Sequence, residues 1–345
     1  MCRRLMAMWG ASVLPLTAAA FAAEPLTQYE VVRLGSDGPR GTVVATAISD
    51  NGHVSGYGPP EIPGDVAGAL WWEPGTTTAL ELPSEFSLDV NASGMVVGTA
   101  EGTAPFRYEN GVFTVLLGPT GQDLFVGVAN GVNEAGIICG RGSGAGFPSS
   151  NETPIVWLGG LNATVLGSIG DVGGEALDIN NQGEIVGYSA IIGIAGGATL
   201  WRNGQVIDMD PGLHRLIHAT AINESSQIVG FMESAVPGFT WRGYLWQGGS
   251  FIDLGTHGPG TGSLIQPQDI NEWSMIVGAT ASSAFLWEGG MMRDLETMLA
   301  PGSQGWQLDI ANGINNRGEI VGSAHVGPGG SPGGAVLLRP LPVIA

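Results

Sequence analysis

One phrase recurs seven times along the chain and restricts it to a repeat architecture. Its clearest copy is Ala176-Leu177-Asp178-Ile179-Asn180-Asn181-Gln182-Gly183-Glu184-Ile185-Val186-Gly187. Reduced to a pattern, it is a small or apolar residue, two spacers, Ile or Val, Asn, two spacers, Gly, one spacer and Ile-Val-Gly. The Asn position falls at Ser49, Asn91, Asn133, Asn180, Asn223, Asn271 and Asn315, at intervals of 42 to 48 residues. Units of this size cannot bury their apolar faces alone, so they stack on their neighbours.

A second phrase follows each copy of the first. Its best example is Ala284-Phe285-Leu286-Trp287-Glu288-Gly289-Gly290, closed by Asp294-Leu295. The aromatic position is filled by Trp72, Tyr108, Trp157, Trp201, Trp246 and Trp287, and by Leu338 in the last copy. Each unit therefore holds four short runs rich in Ile, Val, Phe and Trp, bounded by Gly, Asn and Pro, which is the pattern of strands. No stretch keeps a helical apolar period. Asn180 can close an Asx-turn and Gly183 can take positive φ without steric cost, so the first two runs form a tight hairpin. Copies five and six carry Ser226 and Ser274 in place of that glycine, and a different turn shape is expected there.

Four antiparallel strands in about 44 residues match one propeller blade. The expected fold is an all-β, seven-bladed β-propeller of four-stranded antiparallel blades. The seventh unit lacks an Asp-Leu run, whereas residues 28–35 resemble an isolated fourth strand. That strand is expected to complete the last blade and close the ring, which would otherwise expose sheet edges.

These same residues resemble the HAF-type extracellular repeat family. The match is clearest over Gly243-Tyr244-Leu245-Trp246-Gln247-Gly248-Gly249-Ser250-Phe251-Ile252-Asp253-Leu254-Gly255. The pattern departs in copies one to three, at Ser49, Arg107 and Val156. The resemblance implies a secreted bacterial repeat protein and brings no catalytic residues with it.

The N-terminus is consistent with export. Arg3 and Arg4 precede an apolar, small-residue stretch that ends in Ala20-Phe21-Ala22. Residues 1–22 are expected to be a signal peptide and 23–345 a single seven-repeat domain, extracellular or periplasmic, without membrane insertion after cleavage. Only Cys2 and Cys139 occur, and Cys2 would leave with the signal, so no internal disulfide is possible. The formal net charge of −19 argues against nucleic acid and anionic membranes as partners.

Residues that repeat in register have a structural explanation. Asn91, Asn133, Asn180, Asn223, Asn271 and Asn315 serve turns, Trp72, Trp157, Trp201, Trp246 and Trp287 serve the core, and Asp208, Asp253 and Asp294 accept structural hydrogen bonds. The connections between runs two and three, and between units, vary in length and share one face. Variable loops on a rigid scaffold are where binding residues concentrate. Ligand-binding candidates on that face are Trp241, Trp306, Phe147, Phe239 and His257. An extracellular glycan or surface protein is the expected partner, and an exposed solvated role is expected for His53. His214 and His218 lack a helix to align them and a further ligand, so no metal site and no cofactor is called for. Two rivals to a binding role stand: a purely structural repeat, and a polysaccharide hydrolase or lyase using carboxylates among Glu61, Asp65, Asp171, Glu175 and Glu233.

Overall fold

The computed structural model describes residues 27–35, 43–59, 68–100, 104–121, 125–144, 147, 152–170, 173–191, 194–209, 217–233, 241–255, 264–327 and 333–342. Seven four-stranded antiparallel sheets form a seven-bladed β-propeller. The innermost strands, blades one to seven, are Val44–Ile48, Phe86–Val90, Phe125–Val132, Gly174–Ile179, Ile217–Ile222, Gln266–Ile270 and Trp306–Ile314. Each touches the next, and the seventh returns to the first. The seventh blade takes its outer strand from the N-terminal side: Tyr29–Leu34 pairs antiparallel with Gly334–Pro340. Ring closure thus joins the two ends of the chain by backbone hydrogen bonds.

Every inner strand carries a β-bulge where the phrase has its spacers, as between Ala176 and Asp178 and between Ala219 and Ala221. The bulge aims the residue before Ile-Asn sideways at the next blade. It also explains the glycine that ends Ile-Val-Gly, which passes directly over the inner strand. A methyl group on Gly187 would lie 2.0 Å from the Glu175 carbonyl oxygen, and one on Gly230 would lie 1.9 Å from that of His218. Gly56, Gly98, Gly140, Gly278 and Gly322 meet the same obstruction at 2.0 to 2.2 Å. The phrase keeps this glycine for close approach of two backbones, not for a turn.

The hairpins of copies five and six do not differ in shape from the others. Ser226 and Ser274 adopt φ of 56° and 59°, the left-handed conformation that Gly183 takes at 74°. Each closes the same turn onto the preceding Asn carbonyl. Both hydroxyls reach the previous blade, Ser226 to Glu184 at 2.6 Å and Ser274 to Gln227 at 2.8 Å. A bond across the blade junction offsets the strain of a non-glycine residue at positive φ.

The repeated asparagines do more than shape turns. Each Oδ1 accepts the backbone N–H four residues on, as from Glu184 to Asn180 at 2.9 Å. Each Nδ2 donates to the backbone carbonyl of the equivalent residue in the next blade: Asn91 to Asn133, Asn133 to Asn180, Asn180 to Asn223, Asn223 to Asn271, Asn271 to Asn315, and Asn315 to Ser49, all at 3.0 to 3.2 Å. All six asparagines are buried. This girdle is interrupted between blades one and two, where Ser49 is too short to reach. There Asn51 donates instead to the Ala92 carbonyl at 2.9 Å.

A second ring lies one step along the inner strands. Blades one, three, five and seven donate through Thr46, Asn130, Thr220 and Asn312 to carbonyls of the next blade at 2.8 to 3.0 Å. Blades two, four and six instead accept through Asp89, Asp178 and Asp269, each taking the N–H of Val132, Ile222 or Ile314 at 2.8 Å. These carboxyl groups keep some exposed surface yet lie deep within the ring. Burial and the nearby Asp178 charge push Asp89 up to about 7, and Asp269 rises to about 7 by burial with the same neighbour contributing. Burial raises Asp178 as well.

The register tryptophans lie in the sheets. Trp72, Trp157, Trp201 and Trp287 are buried and Trp246 partly so, each paired across from the Ile or Val that opens Ile-Val-Gly. Cys139 is a buried free thiol.

Candidate functional site

The two ends of the ring differ in what their side chains are occupied with. At the tight-turn end, the girdle and a set of side chains one residue beyond it are spent on joining blades. Glu134 accepts from Ala92 N–H, Asn181 from Glu134 N–H, Glu272 from Glu224 N–H, and Asp50 from Asn316 N–H. His53 is not solvated there but stacks on Trp71, with ring centroids 5.5 Å apart, and burial lowers its proton affinity. Gly94 of the second blade lies against both rings, so the pair acts as packing between blades one and two.

At the opposite end, a line of interacting side chains crosses blades three to five. It begins at Arg141, in the second strand of blade three, whose guanidinium pairs with both Glu152 and Glu175. Glu175 is the second residue of the inner strand of blade four. Its carboxylate also accepts from Asn130 Nδ2 at 2.9 Å and from the Tyr188 hydroxyl at 3.2 Å. Burial raises the Glu175 pKa, with the Arg141 charge and the Asn130 bond working against that rise. The Tyr188 ring lies 4.5 Å from His218, the first polar residue of the blade-five inner strand. His218 stacks on Phe231 at 5.1 Å and 11°, and Phe231 meets Trp241 edge to face at 5.3 Å. Burial lowers the proton affinity of His218, so the line is neutral there at pH 7.

The backbone explains the alignment. His218 pairs with Phe231 across the first two strands of blade five, and Trp241 is the first residue of the third, paired with Glu233. Residues directly or diagonally opposite share one sheet face, so the three rings run outward along the sheet. Trp241 directly follows the connection 234–240 and is half-buried, and Glu233 beside it is exposed.

Of the described residues expected to bind a ligand, Trp241 stands in this line and Phe147 and Trp306 do not. Phe147 packs on the core shared by blades two and three, and Trp306 packs on the core shared by blades six and seven. Phe239 and His257 lie outside the described residues, as do Glu61, Asp65, Asp171 and His214. Glu175, considered for acid chemistry, is held by three donors, and Glu233 stands apart from it at the end of a strand. Arg141, Asn130, Tyr188 and Phe231 carry no motif that marks them in the sequence. The signal available was register: the position before the small residue of the phrase is Val44, Phe86, Val128 and Ile310 in four copies but Glu175, His218 and Gln266 in copies four to six. Gly329-Gly330-Ser331-Pro332-Gly333 has the spacing of a hydrolase nucleophile elbow, which requires a strand-to-helix turn. It joins two strands of one sheet, and its first four residues lie outside those described. No metal-binding group of three or more ligands occurs among the described residues, and no helix among them is long and apolar enough to cross a membrane.

No known family profile and no curated protein matches the chain. Solved structures do match in fold. A Mycobacterium tuberculosis puromycin-hydrolysing peptidase aligns at TM-score 0.57 and 11% identity, over 88% of this chain and 53% of its own. A streptogramin B lyase aligns at TM-score 0.52 and 11% identity, over 91% and 98%. YCF48 bound to D1 peptide aligns at TM-score 0.51 and 11% identity, over 92% and 97%. The chain thus spans about half the length of the peptidase and nearly all of the other two. At such identities the likeness is one of scaffold.

Proposed function

We propose that this is an exported, non-catalytic repeat protein of the HAF type that binds an extracellular partner through the variable-loop end of its ring. The observation that carries this reading is the line from Arg141 to Trp241. There polar, charged and aromatic side chains from three blades meet at the loop end, away from the asparagine girdle. The tight-turn end, by contrast, is committed to closing the ring. Glu175 supports binding over hydrolysis: a general acid must exchange a proton with substrate, whereas this carboxylate is fixed as an acceptor by Asn130, Arg141 and Tyr188 and keeps room for one further donor. Export rests on the charged and apolar N-terminal segment ending in Ala20-Phe21-Ala22. The test is a screen of purified residues 23–345 against a glycan array and an extracellular protein panel, alongside a polysaccharide-degradation assay. Retention of a partner without product release is expected. Release of oligosaccharide ends, abolished by Glu175→Gln, would establish the hydrolase or lyase instead.

A further inference from the structure

The chemistry along the Arg141–Trp241 line narrows the class of partner. Its inner part offers planar hydrogen-bonding groups held in fixed positions: the Arg141 guanidinium, the Glu175 carboxylate and the Tyr188 hydroxyl. Its outer part offers aromatic faces, with Phe231 propped by His218 and Trp241 braced at right angles on Phe231. A ligand filling both parts must itself alternate apolar faces with rims of hydroxyl groups, which describes a pyranose ring. We propose that this line is a binding platform for a neutral oligosaccharide chain, with Trp241 stacking on one sugar ring and the Arg141–Glu175 cluster bonding to the hydroxyls of another. This rests on the loop end being the partner-binding end.

Charge selects against acidic glycans. Glu152, Glu175 and Glu233 outnumber Arg141 locally, and the whole chain carries −19, so a uronate or sulfated chain meets repulsion. A peptide laid along a sheet edge fits less well. The strand bearing Phe231 is paired along both sides, and the strand bearing Trp241 is covered on its outer side from Tyr244 to Gln247, so neither presents a full open edge to an added strand. The ladder also crosses three blades, a span suited to a chain of linked rings and not to a single small molecule. Bracing lowers the cost of binding, because the rings are already ordered by their neighbours.

The experiment is titration of residues 23–345 with neutral gluco-, manno-, galacto- and xylo-oligosaccharides, polygalacturonate oligomers and cationic glucosamine oligomers. Trp241→Ala and Tyr188→Phe are compared with Trp273→Ala, which removes a Trp that is 71% exposed at the tight-turn end, with folding of each checked by thermal unfolding. At least one neutral series should bind, and more tightly with four residues than with two. Loss of one stacked ring should weaken it about tenfold in Trp241→Ala, as 1.4 kcal/mol of aromatic contact implies, with Tyr188→Phe weaker and Trp273→Ala unchanged. Absence of binding to every neutral series, preference for the uronate or cationic series, or binding that survives Trp241→Ala in a folded variant would overturn the glycan assignment. The loop-end reading would still stand if a protein partner were retained and lost with Trp241→Ala. It would fall together with this proposal if any partner were lost with Trp273→Ala and kept with Trp241→Ala.

Discussion

Asn315 donates a hydrogen bond from its side chain to the backbone carbonyl of Ser49, 3.1 Å away and 266 residues distant in sequence. Ser49 occupies the position that asparagine fills in every other blade, so it receives the girdle from the last blade but does not pass it on. The junction between blades one and two is therefore where the ring has least side-chain bonding at the turn end. Ala92 deepens the gap, since it offers no side-chain acceptor to the turn before it, only its backbone carbonyl to Asn51.

Restoring the girdle should stabilise the protein. Ser49→Asn places an amide within the same geometry that the other six blades use, and one added buried hydrogen bond contributes about 1 kcal/mol. The converse change, Asn180→Ala, removes a buried side chain that both donates across the junction and accepts in its own turn, and should cost about 2–4 kcal/mol. Denaturant midpoints of both variants decide it, and a neutral Ser49→Asn would show that the new amide does not reach the Asn91 carbonyl.

Gly187→Ala should be among the most damaging single-methyl changes in the chain. The added carbon meets the Glu175 carbonyl oxygen 2.0 Å away, in backbone that cannot move without breaking the inner pairing. A loss of about 3 kcal/mol or more is expected, in the range of overpacking and strain combined. Gly302→Ala, with open space around it and ordinary φ, provides the contrast and should be within about 0.5 kcal/mol of the parent. Equal effects from the two would refute the close-approach explanation.

Ser274 separates strain from bonding. Ser274→Ala keeps the positive φ and loses the bond to Gln227, so it should cost about 1–2 kcal/mol. Ser274→Gly loses the same bond but relieves the strain, and should cost less than the alanine variant. Thermal unfolding in which glycine is the worse of the two would mean that the left-handed turn is not strained.

Stability should fall as pH rises from about 4 to 7. The folded pKa of Asp89 and of Asp269 is about 7, above the value near 3.9 of an unfolded aspartate. Over that interval the unfolded chain has released protons that the native ring still holds, so each group removes up to about 1.4 kcal/mol of stability per pH unit. Above pH 7 the loss levels off. Glu184 acts with the opposite sign: its folded pKa is lowered by its bonds to Ser226, Asn180 and Arg202 against the effect of burial, so its contribution is present above the ordinary glutamate value and is lost in stronger acid. Asp89→Asn should flatten the decline between pH 4.5 and 7.5 in guanidinium unfolding. A stability that rises over this range would contradict the buried, protonated state of the ring.

The sequence by itself determined the number of blades, the four-strand unit and the strand that closes the ring, because these follow from local period and from turn chemistry at Asn and Gly. What it did not determine was the use to which repeated residues are put between blades. Asn180 is a turn residue in its own hairpin and a cross-link to blade five, and only the packing of neighbours gives its amide a second partner. The glycine of Ile-Val-Gly has a reason visible only when the bulged inner strand lies beneath it. Likewise, Arg141, Glu175, Tyr188, His218, Phe231 and Trp241 are spread over 101 positions of sequence. They form one line because blades three to five set the ends of their strands side by side. Periodicity is a local property that a chain carries before it folds. Convergence of residues that do not repeat depends on the relative position of whole sheets, which is settled only by their packing into a ring.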